Sequence, residues 1–70
     1  MTAERLRLRR QGLGIEQRRV AELVRVNKIT FNKWESGREP IPIRRVEELE
    51  RLYGSLEDAV REFEEWREAS

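Results

Sequence analysis

The chain has no cysteine and no histidine among its 70 residues. No disulfide can staple it, and the usual zinc ligand sets cannot form. A chain this short normally leans on one of those two devices, on near-ideal helix packing, or on a partner subunit. Helix packing and self-association remain. Zero cysteine also fits an intracellular protein. No apolar run approaches the ~18–20 residues needed to span a bilayer, and no signal-peptide-like segment follows Met1. The expectation is a soluble, cytoplasmic protein with no membrane partner. Nothing resembles a glycine-rich phosphate loop, and the carboxylates read as solvated helix faces rather than an acid–base pair in a pocket. An enzyme is therefore not expected, and neither a cofactor, a metal nor a small-molecule effector is indicated.

What the chain has in excess is charge. Charged residues make up 41% of it, yet the net charge is only +1. The distribution is uneven: residues 1–45 carry +7 and residues 46–70 carry −6. Two solvated faces of opposite sign would account for this. A basic half that also carries an exposed recognition-like helix points instead to a polyanionic partner.

Helical spacing dominates, with no convincing strand alternation. Thr2 is placed to cap a first helix over 3–11, with Gly12 past its end. Leu6 and Arg10 share a face of it. A second helix is expected at roughly 16–24, with Val20, Leu23 and Val24 as one apolar stripe. Asn27 is a good N-cap for a third helix over 28–36, and Gly37 a good residue to terminate it. Two prolines fix the loop 38–42, and Pro42 suits the first position of a fourth helix over about 43–53. Gly54 is expected to end that helix, and Ser55 to cap a fifth over 55–69. The whole chain, 1–70, reads as one compact all-α domain of five helices.

At ~100° per residue, the third helix sorts into two sides. Lys28, Ile29, Asn32 and Lys33 fall within about 140° of one another, while Thr30, Phe31 and Trp34 lie opposite. The aromatic side suits a core. The other side holds two cations, an amide and one apolar side chain able to pack on a thymine methyl. A short turn, Arg25-Val26-Asn27, joins this helix to the one before it. Two helices linked by such a turn form a helix-turn-helix, whose second helix enters the major groove.

The run Arg10-x(4)-Ile15-Glu16-Gln17-x-x-Val20-Ala21-x-x-Val24-x-Val26-Asn27-x-x-Thr30-Phe31-x-x-Trp34-Glu35-Ser36-Gly37-x-x-Pro40 resembles the phage Cro/repressor (XRE-type) helix-turn-helix family. The resemblance covers about residues 5–56. The Trp-Glu-Ser-Gly-Arg close with its downstream Ile-Pro is also similar to small phage regulators encoded beside anti-CRISPR genes. The resemblance implies a lambda-repressor-like fold and a cytoplasmic site of action in a bacterial or phage-infected cell. It implies that Gln17 binds a DNA phosphate and braces the recognition helix. It places Lys28, Ile29, Asn32 and Lys33 at base edges, and Asn27, Ser36 and Arg38 near phosphates. It also makes Arg10 and Glu35 an ion pair tying the first helix to the end of the third. Arg25 and Arg44 join the phosphate set on charge and position.

Two positions depart from the family pattern. Arg25 stands in the turn where the family often has glycine. A left-handed conformation there would cost arginine about 1 kcal/mol relative to glycine, and the alternative is a turn of another shape. Glu16 stands where a capping threonine is usual. A negative side chain still suits a helix N-terminus but lies close to the expected phosphate path.

Leu56, Ala59, Val60, Phe63 and Trp66 make one apolar stripe at helical spacing near the C-terminus. The stripe could pack on its own domain, as is expected of Leu56 and, in one reading, of Val60. Val60, Phe63 and Trp66 are the expected contacts of a homodimer, since aromatics are enriched in interfaces. The reading is thus a homodimeric, sequence-specific repressor of double-stranded DNA. A protein-interaction module such as an antitoxin, using the C-terminal helix, stays open as the alternative.

Overall fold

The computed structural model describes residues 2–69 of the chain. Four helices follow in order: α1 Thr2–Leu13, α2 Gln17–Leu23, α3 Lys28–Glu35 and α4 Ile43–Ala69, with no strand among the described residues. The first three end in the same way. Within two residues of each C-terminus the chain turns left-handed, at Gly14 (φ 71°), Arg25 (φ 58°) and Gly37 (φ 77°). Each turn is closed by a pair of backbone hydrogen bonds. Gly14 N–H donates to Gln11 and Ile15 N–H to Arg10, Arg25 to Glu22 and Val26 to Ala21, Gly37 to Trp34 and Arg38 to Lys33. These are Schellman closures, which satisfy carbonyls the helix leaves open. Two use glycine, which adopts positive φ at no steric cost, and the middle one uses arginine.

The expected boundaries and core need correcting at five places. Thr2 is the first residue of α1 rather than its cap, and Gly12 lies inside the helix, because the left-handed residue that ends it is Gly14. Pro42 precedes α4 rather than opening it, and its carbonyl accepts the N–H groups of Arg45 and Val46. Leu23 is 46% exposed and outside the core, where Ala21 packs instead. Most important, Gly54 and Ser55 interrupt nothing: the expected fourth and fifth helices are one helix of 27 residues.

The physical reason for that continuity is the face it presents. Leu49 and Tyr53 are buried on one side of α4, and Leu52 joins the same cluster, so the period carries the helix past a glycine that would cost about 1 kcal/mol relative to alanine. A clamp spans the glycine. Arg9 Nη2 and Nε on α1 meet both carboxylate oxygens of Glu57 at 2.7 and 3.1 Å, and the guanidinium stands 5.9 Å from the Tyr53 ring centroid. The hydrogen bond from Arg9 lowers the Glu57 pKa and raises that of Arg9 itself.

The core gathers Leu6 from α1, Val20, Ala21 and Val24 from the α2 segment, Phe31 and Trp34 from α3, and Leu49 and Tyr53 from α4. The Phe31 and Trp34 rings meet edge-on, centroids 6.2 Å apart. Tyr53 is fully buried and its hydroxyl has no hydrogen-bond partner. Desolvation by this burial pushes its pKa up to about 12. Beyond this core α4 runs on as an arm, with residues 58–69 all exposed. Along it Val60 is 47% exposed, Phe63 57% and Trp66 67%. The molecule is accordingly elongated, 45 × 21 × 18 Å.

Candidate nucleic-acid interface

The site begins with the turn that aims α3. Asn27 caps α3 through its side chain, Oδ1 accepting the Ile29 N–H at 2.7 Å. Arg45 of α4 donates to the Val24 carbonyl at 2.9 Å and to Glu48 at 2.8 Å, bracing the end of α2 from behind. These contacts set the angle between α2 and α3, while Phe31 (1% exposed) and Trp34 (5%) seat α3 in the core.

The opposite side of α3 stands in solvent. Lys28, Ile29 and Asn32 are exposed, Ile29 to 67%, and Lys33 is half-buried beside Glu39, Nζ to Oε1 at 3.6 Å. Arg25, Asn27, Ser36, Arg38 and Arg44 are exposed as well. The Ser36 hydroxyl donates to the Lys33 carbonyl at 3.2 Å, so it helps to close α3. A shallow concavity of about 450 Å³ lies between the starts of α2 and α3, lined by Arg10, Glu16, Gln17, Arg18 and Lys28. Arg18 is a cation that motif matching passed over. Its position beside Gln17 in the first turn of α2 is the signal that could have found it. Glu16 precedes α2 in an extended conformation and makes no side-chain cap bond.

A polar network underlies this surface. Arg10 Nε donates to Glu35 Oε2 at 2.7 Å and Nη2 to Oε1 at 3.0 Å, while Nη1 donates to the Ile15 carbonyl at 2.7 Å. Arg10 is 9% exposed and Glu35 6%. Gln17 Nε2 donates to Glu35 Oε1 at 2.7 Å, and Asn32 Nδ2 donates to Gln17 Oε1 at 3.2 Å. A buried charge pair, an amide at the start of α2 and an amide on the outer side of α3 thus form one connected chain. Buried polar groups tied this way hold neighbouring elements in one geometry.

Among the described residues no group of three or more acidic, histidine or cysteine side chains is placed to hold a metal. No helix among them is long and apolar enough to cross a membrane. No curated protein and no solved structure matches the chain. Residues 3–63 match the family described as helix-turn-helix domain. The match spans all but the ends, and the chain belongs to the helix-turn-helix domain family found in XRE-like DNA-binding regulators.

Proposed function

We propose that the protein is a sequence-specific repressor that binds a two-fold DNA operator as a homodimer and blocks transcription by occupying it. The observation that carries the reading is the sidedness of α3. Its aromatic residues are buried, while Lys28, Ile29, Asn32 and Lys33 form a solvent-facing surface on a family scaffold for DNA. In this reading Lys33 donates to guanine, Asn32 pairs with adenine, Ile29 packs on a thymine methyl, and Lys28 takes a base edge or a phosphate. Gln17, Arg25, Asn27, Ser36, Arg38 and Arg44 lie along the phosphates, which supply most of the affinity and its salt dependence. In this reading occupancy of the operator is itself the repressing event.

A single recognition helix reads only a few base pairs, so specificity favours two copies with half-sites about one helical turn, roughly 34 Å, apart. The exposed stripe of Val60, Phe63 and Trp66 supports pairing through the arm. That end is acidic, with Glu57, Glu64, Glu65 and Glu68, and the charge keeps the arm away from DNA. The experiment is the double substitution Lys28→Ala/Lys33→Ala, tested on duplexes the native protein selects from a random pool. Loss of binding with the solution mass unchanged is the expected result. Unchanged selection by the variant would reject this role for α3 and favour an antitoxin-like module acting through α4.

A further inference from the structure

A cleft opens where the arm of α4 leaves the body, on the side away from the core. Gly12 and Leu13 of α1 face Val60 across a shallow space of about 440 Å³, edged by Arg61 and Glu64. A second hollow of about 440 Å³ continues past Arg9 along the outer face of α1, lined by Glu4, Arg5 and Leu8. Leu8 is 55% exposed there. Gly12 sits inside α1, where glycine lowers stability relative to alanine. Its φ is not left-handed, and a Cβ on it would meet no atom within 4 Å. Neither the backbone nor any contact within the chain calls for a glycine at this position. Close approach of a second chain does.

We infer that this outer face of α1 is the seat for the arm of a second copy, with Phe63 and Trp66 docked over Leu8, Gly12 and Leu13 and the exchange repeated across a two-fold axis. The inference rests on the homodimer proposed above and names the surface that each arm meets. Spacing supports it. The Phe63 and Trp66 ring centroids are 6.1 Å apart. Leu8 and Gly12, four residues apart, are about 6 Å apart along a helix axis that rises ~1.5 Å per residue. One ring therefore fits over Leu8 and the other over Gly12 and Leu13. Charge supports it too. Residues 58–69 of the arm carry five acids and two arginines, net −3, whereas α1 carries four arginines and one acid, net +3. Even with Arg9 and Arg10 committed to Glu57 and Glu35, α1 keeps Arg5 and Arg7 against Glu4. Arms laid on one another would set acid against acid. An arm laid on α1 brings Glu62 and Glu64, the neighbours of Phe63, towards Arg5. Arg5 is exposed and has no acidic partner among the described residues. Two reciprocal contacts cover four aromatic side chains at roughly 150–250 Å² each, enough with the surfaces beneath them to reach the ~1,200 Å² of a small specific interface.

The test blocks the seat and leaves the arm intact. Gly12→Gln puts a polar side chain into the cleft, where the fold has room for it and the helix gains propensity. Sedimentation equilibrium over a concentration series measures dimerisation, and melting of the helical signal measures the fold. At concentrations where both chains are monomeric, the variant should melt at or above the native temperature. Its dimer should dissociate about tenfold more readily, as expected when a central contact is blocked. A dimer as tight as the native one overturns the inference. Crosslinking reads the geometry independently of that variant, because the chain has no cysteine of its own. Leu8→Cys and Glu62→Cys chains, mixed and treated with a short thiol-to-thiol reagent, should give a mixed dimer joined between the two introduced thiols. Glu62→Cys chains joined only to each other would place arm on arm and overturn the inference while leaving the homodimer standing. A native chain that stays monomeric at every concentration removes the homodimer, and this seat with it.

Discussion

Removing the Glu35 carboxylate tests how much of this small fold depends on one buried pair. Glu35→Ala strips the acceptor from both Nε and Nη2 of Arg10, a residue 9% exposed in the native fold, with only the Ile15 carbonyl still in place on Nη1. Breaking a buried pair from one side costs about 3–5 kcal/mol, because the remaining charge stays desolvated. A 70-residue domain at roughly 0.05–0.15 kcal/mol per residue holds about 3.5–10 kcal/mol in total. The single variant should therefore lose a third or more of its stability and sit close to unfolding at 37 °C. The double variant Arg10→Met/Glu35→Leu removes both charges and fills the space with apolar atoms. Its stability should return to within about 1–2 kcal/mol of the native chain, since apolar replacement of such pairs is often neutral or favourable. Urea denaturation followed by helical circular dichroism reads both. A loss under about 1 kcal/mol for Glu35→Ala, or a double variant as weak as the sum of the singles, would refute the view that uncompensated charge sets the cost.

Tyr53→Phe removes a buried hydroxyl that has no partner and should stabilise the chain by about 1 kcal/mol, the desolvation cost of an unmade bond. The native tyrosine has its pKa raised from 10 to about 12, so its neutral form costs nothing extra below pH 10 and stability is lost as pH rises from there. Urea midpoints at pH 7 and 11 should differ more in the native chain than in the variant, and equal differences would contradict burial as the cause. Arg25→Gly relieves a left-handed arginine and should gain about 1 kcal/mol while lowering the salt slope of DNA binding by about one unit. An unchanged midpoint would show that the turn stores no strain. Phe63→Ala/Trp66→Ala should leave the melting curve of the core unaltered and shift the sedimenting species from dimer to monomer; a mass independent of these side chains would place the homodimer contact elsewhere.

Much of the site could be read before any coordinates, because its determinants are local. The Asn27 cap, the Gly37 closure and the two-sided pattern of α3 each depend on residues within one or two turns. The helix boundaries failed where glycine was read as punctuation. Gly14 and Gly37 do end helices, but Gly12 and Gly54 sit inside them, and only tertiary packing decides which role a glycine takes. The Arg9–Glu57 clamp that spans Gly54 joins residues 48 apart, a distance no periodicity can reveal. Leu23 failed for a related reason: the α2 segment buries Val20 and Val24 as expected, but the buried face is rotated so that Ala21 rather than Leu23 completes it. The resemblance implied that Gln17 braces α3, but not that Asn32 is the residue it holds. The two residues are 15 apart on different helices, and the meaning of their bond comes from Glu35 beneath it.

The account rests on the polar side of α3 meeting the bases. Amide resonance shifts on titration with a selected duplex measure this most directly. The largest changes should fall on Lys28, Ile29, Asn32, Lys33 and the flanking Arg25–Asn27 turn, with residues 60–69 unmoved. Shifts concentrated on the arm, with α3 silent, would contradict it.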